Sequence, residues 1–261
     1  MSLPSIFISH GAPDLPLQSG AAPDFLKQLG PSIPNPQAIL VISAHWNTRQ
    51  PTVGMATHPC TIHDFQGFSK ALYEMNYPAP GAIGLAKRTV ELLAERGIEC
   101  GVSRDYGLDH GAWVPLILAY PEANIPVTQL SIQPNLSPAH HFLLGEALAP
   151  LRDEGVLIMA SGSATHNLWA LNPHGNAAPS PETTEFVDWL TKSIESGNTE
   201  QLLKYRLLSP HAVYNHPSEE HLLPLFVAMG AAGKNAKGTQ IHSSFTYGNL
   251  SMAAYQWTVN S

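Results

Sequence analysis

The segment Ile39-Leu-Val-Ile-Ser-Ala-His45-Trp46 opens as an unbroken apolar run and closes on an imidazole. Its apolar part, residues 38–42, follows a proline-rich stretch at residues 31–36. A short run of this kind reads as a strand in a sheet covered on both faces. Ligands of open α/β sheets sit outside the carboxyl ends of the strands. His45 falls there, on a rigid tip, where a histidine can hold a metal ion or move protons.

The pattern recurs on both sides of this segment. Ser5-Ile-Phe-Ile-Ser9 stops at His10, and Val156-Leu-Ile-Met-Ala160 runs into Ser161-Gly-Ser-Ala-Thr-His166. Three strand-like runs each deliver a histidine past the carboxyl end, which predicts one shared site. Between them the chain alternates. Helices are expected at residues 24–29, 83–96, 114–119, 138–148, 181–196, 200–207 and 218–229. The second carries apolar Ile83, Leu85, Val90, Leu92 and Leu93 on one face and is stopped by Gly97. Further strands are expected at residues 98–103, 126–131 and 240–247, and a short one near 52–55. Residues 47–68 and 108–113 otherwise read as loops. This alternation predicts an α/β fold in one domain, residues 1–261, with a mostly parallel or mixed central sheet and helices on both faces.

Composition narrows the function. Charged residues are 13% of the chain, well under the roughly 25% of an ordinary domain. Thirteen histidines equal the whole lysine and arginine count, so imidazole chemistry stands out. The net charge of −7 with no Lys/Arg cluster predicts no nucleic-acid partner. Apolar runs fall short of the roughly 20 residues that span a bilayer, which predicts no membrane partner. Two cysteines, Cys60 and Cys100, and a start without a signal-type segment point to a cytoplasmic protein. Oligomeric state has no signature in the sequence.

His10 and His45, at strand tips, are the first pair of candidate metal ligands. His221 is the best third. Ser218 can cap the helix expected at 218–229, which puts His221 in its first turn and favours the neutral ring a metal needs. Glu219 and Glu220 are alternative third ligands. His166 and His110 are candidates for proton transfer. His63 and Asp64 suggest a substrate-pocket loop, and Trp46, Phe65, Tyr77 and Trp113 could line an aromatic pocket. Arg49 could pair a substrate carboxylate. His140 and His141 fit a helix face, and His58, His174, His211 and His216 fit loops. Cys60 with His63 lacks the companions of a zinc site. Nucleotide-binding glycine patterns are missing, and Ser161-Gly-Ser163 lacks the spacing of a nucleophile elbow.

Taken in order, several motifs resemble one family. They are Ser9-His10-Gly-Ala-Pro13, Ser43-Ala-His45-Trp46, Thr61-Ile-His63-Asp64-Phe65, Tyr77-Pro-Ala-Pro-Gly81, Asp109-His110-Gly-Ala-Trp113, His166-Asn-Leu168 and Glu220-His221-Leu-Leu-Pro-Leu225. Together they resemble the DODA-type extradiol ring-cleavage dioxygenases, class III, LigB-like enzymes named for 4,5-DOPA cleavage. The resemblance implies a non-haem Fe(II) held by His10, His45 and His221, with Zn(II) also found in such sites. It implies His166 as acid/base and His110 close to a catechol substrate, which is opened with O2. The protocatechuate branch of the family uses a glutamate as third ligand, where this chain offers His221. Two rival readings use the same residues. One is a zinc hydrolase in which the three histidines activate water. The other is a non-enzymatic metal-binding module, which would keep its function after His166→Ala.

Overall fold

Strands with both faces covered read as nearly continuous apolar runs, as residues 6–8, 38–42 and 156–160 do here. The computed structural model describes residues 2–172 and 178–258, so His174 lies outside the described residues. In chain order the strands are β1 (Ser5–Ser9), β2 (Ala38–Asn47), β3 (Thr52–Gly54), β4 (Gly101–Ser103), β5 (Val127–Ile132) and β6 (Val156–Gly162). Then come β7 (Thr239–His242), β8 (Phe245–Thr246), β9 (Leu250–Ser251) and β10 (Ala254–Trp257). Among the described residues, eight form one mixed sheet in the order β4-β3-β5-β2-β6-β1-β10-β7. Its β5-β2-β6-β1 centre is parallel, so four carboxyl ends share one edge. β10 runs antiparallel to β1 and β7. β8 and β9 make a separate hairpin.

Successive residues of the central strands enter different cores, as the two-residue period requires. Ile6, Ile8, Ile39, Val41, Leu157 and Met159 pack with the Ala21–Ser32 and His110–Ala119 helices. Phe7, Leu40, Ile42, Ile158 and Ala160 pack with the Ile83–Glu95, Pro138–Leu148, Pro181–Glu195 and Leu223–Ala232 helices. Helices on both faces of a mixed sheet are the predicted architecture. Among the described residues, no helix is long and apolar enough to cross a membrane.

Several boundaries differ from expectation, for local reasons. The last helix begins at Leu223, not 218, with Pro224 in its first turn. A helix begun at 218 would put Pro224 in the interior, where it lacks a donor and clashes with the preceding turn. Ser218 therefore caps nothing; its hydroxyl donates to Glu220 Oε1 at 3.0 Å, and His221 sits in the turn ahead of the helix. The stretch 108–113 is not all loop. Asp109 caps a helix that starts at His110, its side chain accepting from the Ala112 N–H. The helix expected at 200–207 is two short ones, Thr199–Leu203 and Tyr205–Leu208. The strand expected at 240–247 is split between β7 and β8, and β10 follows it.

Candidate active site

Three elements bring the candidate ligands to the shared sheet edge. His10 follows β1, and its backbone N–H donates to the Gly162 carbonyl at 3.0 Å. His45 lies on β2, where pairing with β5 jumps from Ile42–Leu130 to Asn47–Ile132. Such an irregularity bends a strand and re-aims its side chains. The turn carrying His221 is fastened to β6: the Ser163 N–H donates to the His221 carbonyl at 2.8 Å. A Cβ on Gly162 would stand 2.1 Å from that same oxygen, so the approach needs glycine. One ring nitrogen from each of His10, His45 and His221 lies within 4.8 Å of the other two.

Hydrogen bonds fix which nitrogens face inward. The Ser161 hydroxyl donates to the Gly111 carbonyl, so it accepts from His10 Nδ1–H at 3.0 Å. The Glu220 carboxylate accepts from His221 Nδ1–H at 3.0 Å. Asp64 Oδ2, 3.7 Å from His45 Nδ1, favours a proton there too. Each ring then points a bare Nε2 inward. His10 Nε2 and His45 Nε2 are 3.1 Å apart, and His221 Nε2 is buried with no hydrogen-bond partner. Lone pairs converging in this way repel, and a shared cation turns the repulsion into ligation.

Burial keeps these rings neutral. It holds His10 and His221 well below the ordinary imidazole range, with His45 the next cause for His10 and His166 for His221. His45 is lowered to about 3, by burial first and His110 next, against the opposing pull of Asp64. Neutral imidazoles are the form a metal binds. Three of them on one side leave coordination positions for other ligands, so the donor set fits a divalent transition metal.

A cavity of about 710 Å³ opens at this cluster, a size suited to a small organic ligand. His10, His45, His110, His166 and His221 share its wall with Phe68, Leu168, Leu171, Tyr247 and Leu250. His110 lies with its ring centroid 3.8 Å from that of His45. Asp64 Oδ1 accepts the His110 backbone N–H at 2.9 Å, and His110 Nδ1 lies 3.0 Å away without hydrogen-bond alignment. Burial pushes the Asp64 carboxyl up, but the His110 contacts outweigh it and leave its pKa lowered. His166 stacks on His221, centroids 3.3 Å apart and planes 9° from parallel. Burial lowers its pKa as well.

Other residues expected at the pocket lie outside the lining of this cavity. Trp46, Trp113, His63 and Asp64 are not among the residues lining the cavity. Trp46 stacks on Tyr106, centroids 4.1 Å apart. Trp113 is fully buried and its Nε1–H donates to the Ile62 carbonyl at 3.0 Å. His63 Nε2 lies 3.1 Å from the Met75 carbonyl. Tyr77 is buried, its hydroxyl on the Tyr120 carbonyl, and Arg49 is exposed. Asp109, legible in the sequence only as the neighbour of His110, accepts from the Ser43 hydroxyl at 2.6 Å and the Tyr106 hydroxyl at 3.0 Å. Burial raises its pKa to about 6. An aspartate directly before the apolar 110–119 stretch was the available capping signal. Tyr247 was missed; it holds a positive φ of 50° ahead of Gly248, a turn signal in the sequence.

Residues 4–257 match the family described as the catalytic LigB subunit of aromatic ring-opening dioxygenase. A Beta vulgaris protein named 4,5-DOPA dioxygenase extradiol is 46% identical over 258 residues, covering 97% of this chain and 96% of that one. An Escherichia coli protein of the same name is 40% identical over 257 residues, covering 97% and 94%. The crystal structure of an uncharacterized Escherichia coli protein matches with a TM-score of 0.83 at 35% identity, over 98% of this chain and 100% of that one. The chain belongs to the LigB family of aromatic ring-opening dioxygenases, and it is an extradiol ring-cleaving enzyme.

Proposed function

We propose that this enzyme opens a catechol-type ring beside its diol with O2, using a non-haem Fe(II) held by His10, His45 and His221. The observation that best supports this is the convergence of three neutral imidazole nitrogens on a cavity shared with His110 and His166. When bound, Fe(II) supplies the electron exchange with dioxygen that zinc, lacking redox chemistry, does not.

The chain's own groups bind and move protons. His166 is the acid/base group. Burial keeps it neutral at pH 7, able to take a proton from a substrate hydroxyl and return one later. With Nδ1 turned to Glu220, its Nε2 is the working nitrogen. His110, steadied by Asp64 and by its place at a helix start, hydrogen-bonds a substrate oxygen. Phe68, Leu168, Leu171 and Leu250 cover the ring and exclude water.

4,5-DOPA, for which the relatives are named, is the first substrate to test, within a panel of catechols. Apo-protein loaded with Fe(II) under anaerobic conditions is mixed with the catechol and then with oxygen. The expected result is oxygen uptake with a yellow ring-opened product. No uptake across the panel with iron, together with ester or amide hydrolysis with zinc, would overturn the reading in favour of a hydrolase.

A further inference from the structure

One carboxylate oxygen stands beside two imidazoles with different duties. Glu220 Oε1 lies 3.0 Å from His221 Nδ1 and 3.9 Å from His166 Nδ1. The two rings are stacked nearly parallel, so their Nδ1 edges face the same group. The Ser218 hydroxyl donates to this oxygen at 3.0 Å and helps to hold it there. The neighbouring carboxylate is occupied elsewhere. Glu219 accepts from the Tyr205 hydroxyl at 2.8 Å and faces Arg206 Nε at 3.8 Å.

An ionised carboxylate can only accept. Beside His221 it fixes the proton on Nδ1 and leaves Nε2 as the buried, unpartnered lone pair. Partners of this kind set the tautomer and ring orientation of metal-bound histidines. Beside His166 the same oxygen favours Nδ1–H by attraction and leaves Nε2 for the substrate. We propose that Glu220 is a positioning residue shared by the metal site and the proton-transfer site. It orients His221 as a ligand and His166 as the acid/base group. The proposal rests on the reading of His221 as a ligand and His166 as the proton-transfer residue.

The chemistry of a replacement sharpens it. Glutamine keeps the shape of Glu220 but is neutral, and its amide can also donate. Donation to His221 Nδ1 would move the ring proton to Nε2 and spoil ligation. The stacked His166 ring would lose its charged partner in the same step.

The test compares wild type, Glu220→Gln, Glu220→Asp and His221→Ala, with circular dichroism as the check on folding. Zn(II) and Fe(II) affinities are measured by chelator competition. Turnover of a catechol is measured at saturating Fe(II). Glu220→Gln is expected to weaken both metals by roughly 10–100-fold. At saturating iron its kcat is expected to stay down by on the order of tenfold or more, with KM near wild type. Glu220→Asp, which keeps the charge at shorter reach, should recover part of both losses. Wild-type affinity and turnover in Glu220→Gln overturn the proposal. Weakened metal with full kcat at saturation overturns the shared role, leaving Glu220 a partner of His221 alone. His221→Ala with wild-type metal affinity instead overturns the ligand assignment beneath it.

Discussion

Replacing Gly162 with alanine should disable the site by moving His221 without altering any ring. The added Cβ would lie 2.1 Å from the His221 carbonyl oxygen, 3.1 Å from its carbon and 3.2 Å from Phe7 Cε2. To reach even a tight 3.0 Å contact, the His221 backbone must retreat by about 0.9 Å. It cannot do so freely, because the Ser163 N–H binds the same oxygen at 2.8 Å. Overpacking of this kind costs roughly 1–3 kcal/mol. At this chain length each kcal/mol lowers Tm by about 2–4 °C. A displacement near 1 Å at a reacting centre can cost on the order of 100-fold in rate. The control is Gly30→Ala, whose Cβ would stand 1.9 Å from the Ala119 carbonyl. That is the far end of the helix that begins at His110, about 13 Å along it. Thermal melts, chelator competition and steady-state turnover are measured on both variants. Both should melt early, but only Gly162→Ala should lose metal affinity and kcat. Native metal binding and turnover in Gly162→Ala would refute the reasoning, as would an equal loss of both in Gly30→Ala.

Other substitutions separate the roles. His166→Ala should keep its metal while turnover falls by roughly 100-fold or more; loss of the metal would make His166 a ligand instead. His45→Ala should lose the metal, and a titration still showing one ion per chain at unchanged affinity removes it from the ligand set. Asp109→Ala removes a helix cap and strands the Ser43 and Tyr106 hydroxyls, costing roughly 2–4 kcal/mol in a urea titration. A loss under about 1 kcal/mol would show that water replaces the carboxylate. His141 ties stability to acid. Its Nδ1–H faces the Ser137 carbonyl and its Nε2 accepts the Gln133 N–H, and burial lowers its pKa to about 4. Its folded pKa lies below its unfolded value, so its contribution is complete above about pH 6.5. It is lost as pH falls toward 4, by up to about 3 kcal/mol. His141→Gln should flatten the urea midpoint between those pH values, and an unchanged slope would count against it.

The parts of the fold legible in the sequence are those that local pattern decides. The helix at residues 138–148 is bounded as expected, because Ser137 caps it and Pro138 suits its first turn. β1 and β6 were readable as unbroken apolar runs. β10 was not: Ala254–Trp257 becomes a strand by pairing with β1, from the opposite end of the chain. That His10, His45 and His221 gather at one place was legible because each lies at the end of a strand or just ahead of an apolar helix. Which side chains line the cavity was not. Trp46 and Trp113 stand beside site histidines, and an aromatic ring serves packing as well as binding. Which way it faces depends on Tyr106 and Ile62, neighbours that the sequence motif does not specify.

A strand that supplies none of the three candidate ligands organises all of them. β6 lies between β2 and β1 in the sheet, so its carboxyl end is next to both. Ser161 pairs with Ser43 in β2, two residues before His45. Its hydroxyl orients the His10 ring, the Gly162 carbonyl takes the His10 N–H, and Ser163 holds the His221 carbonyl. As sequence, Ser161-Gly-Ser163 resembled a poor nucleophile elbow. In the fold, both hydroxyls already donate to carbonyls, Ser161 to Gly111 and Ser163 to Thr165. A serine nucleophile needs its proton taken by a nearby base. Here His10 Nδ1 itself donates to Ser161, so the tautomer that prepares His10 to bind a metal denies Ser161 that base. The same hydrogen bonds that assemble the histidine site thus argue against serine-based hydrolysis at it.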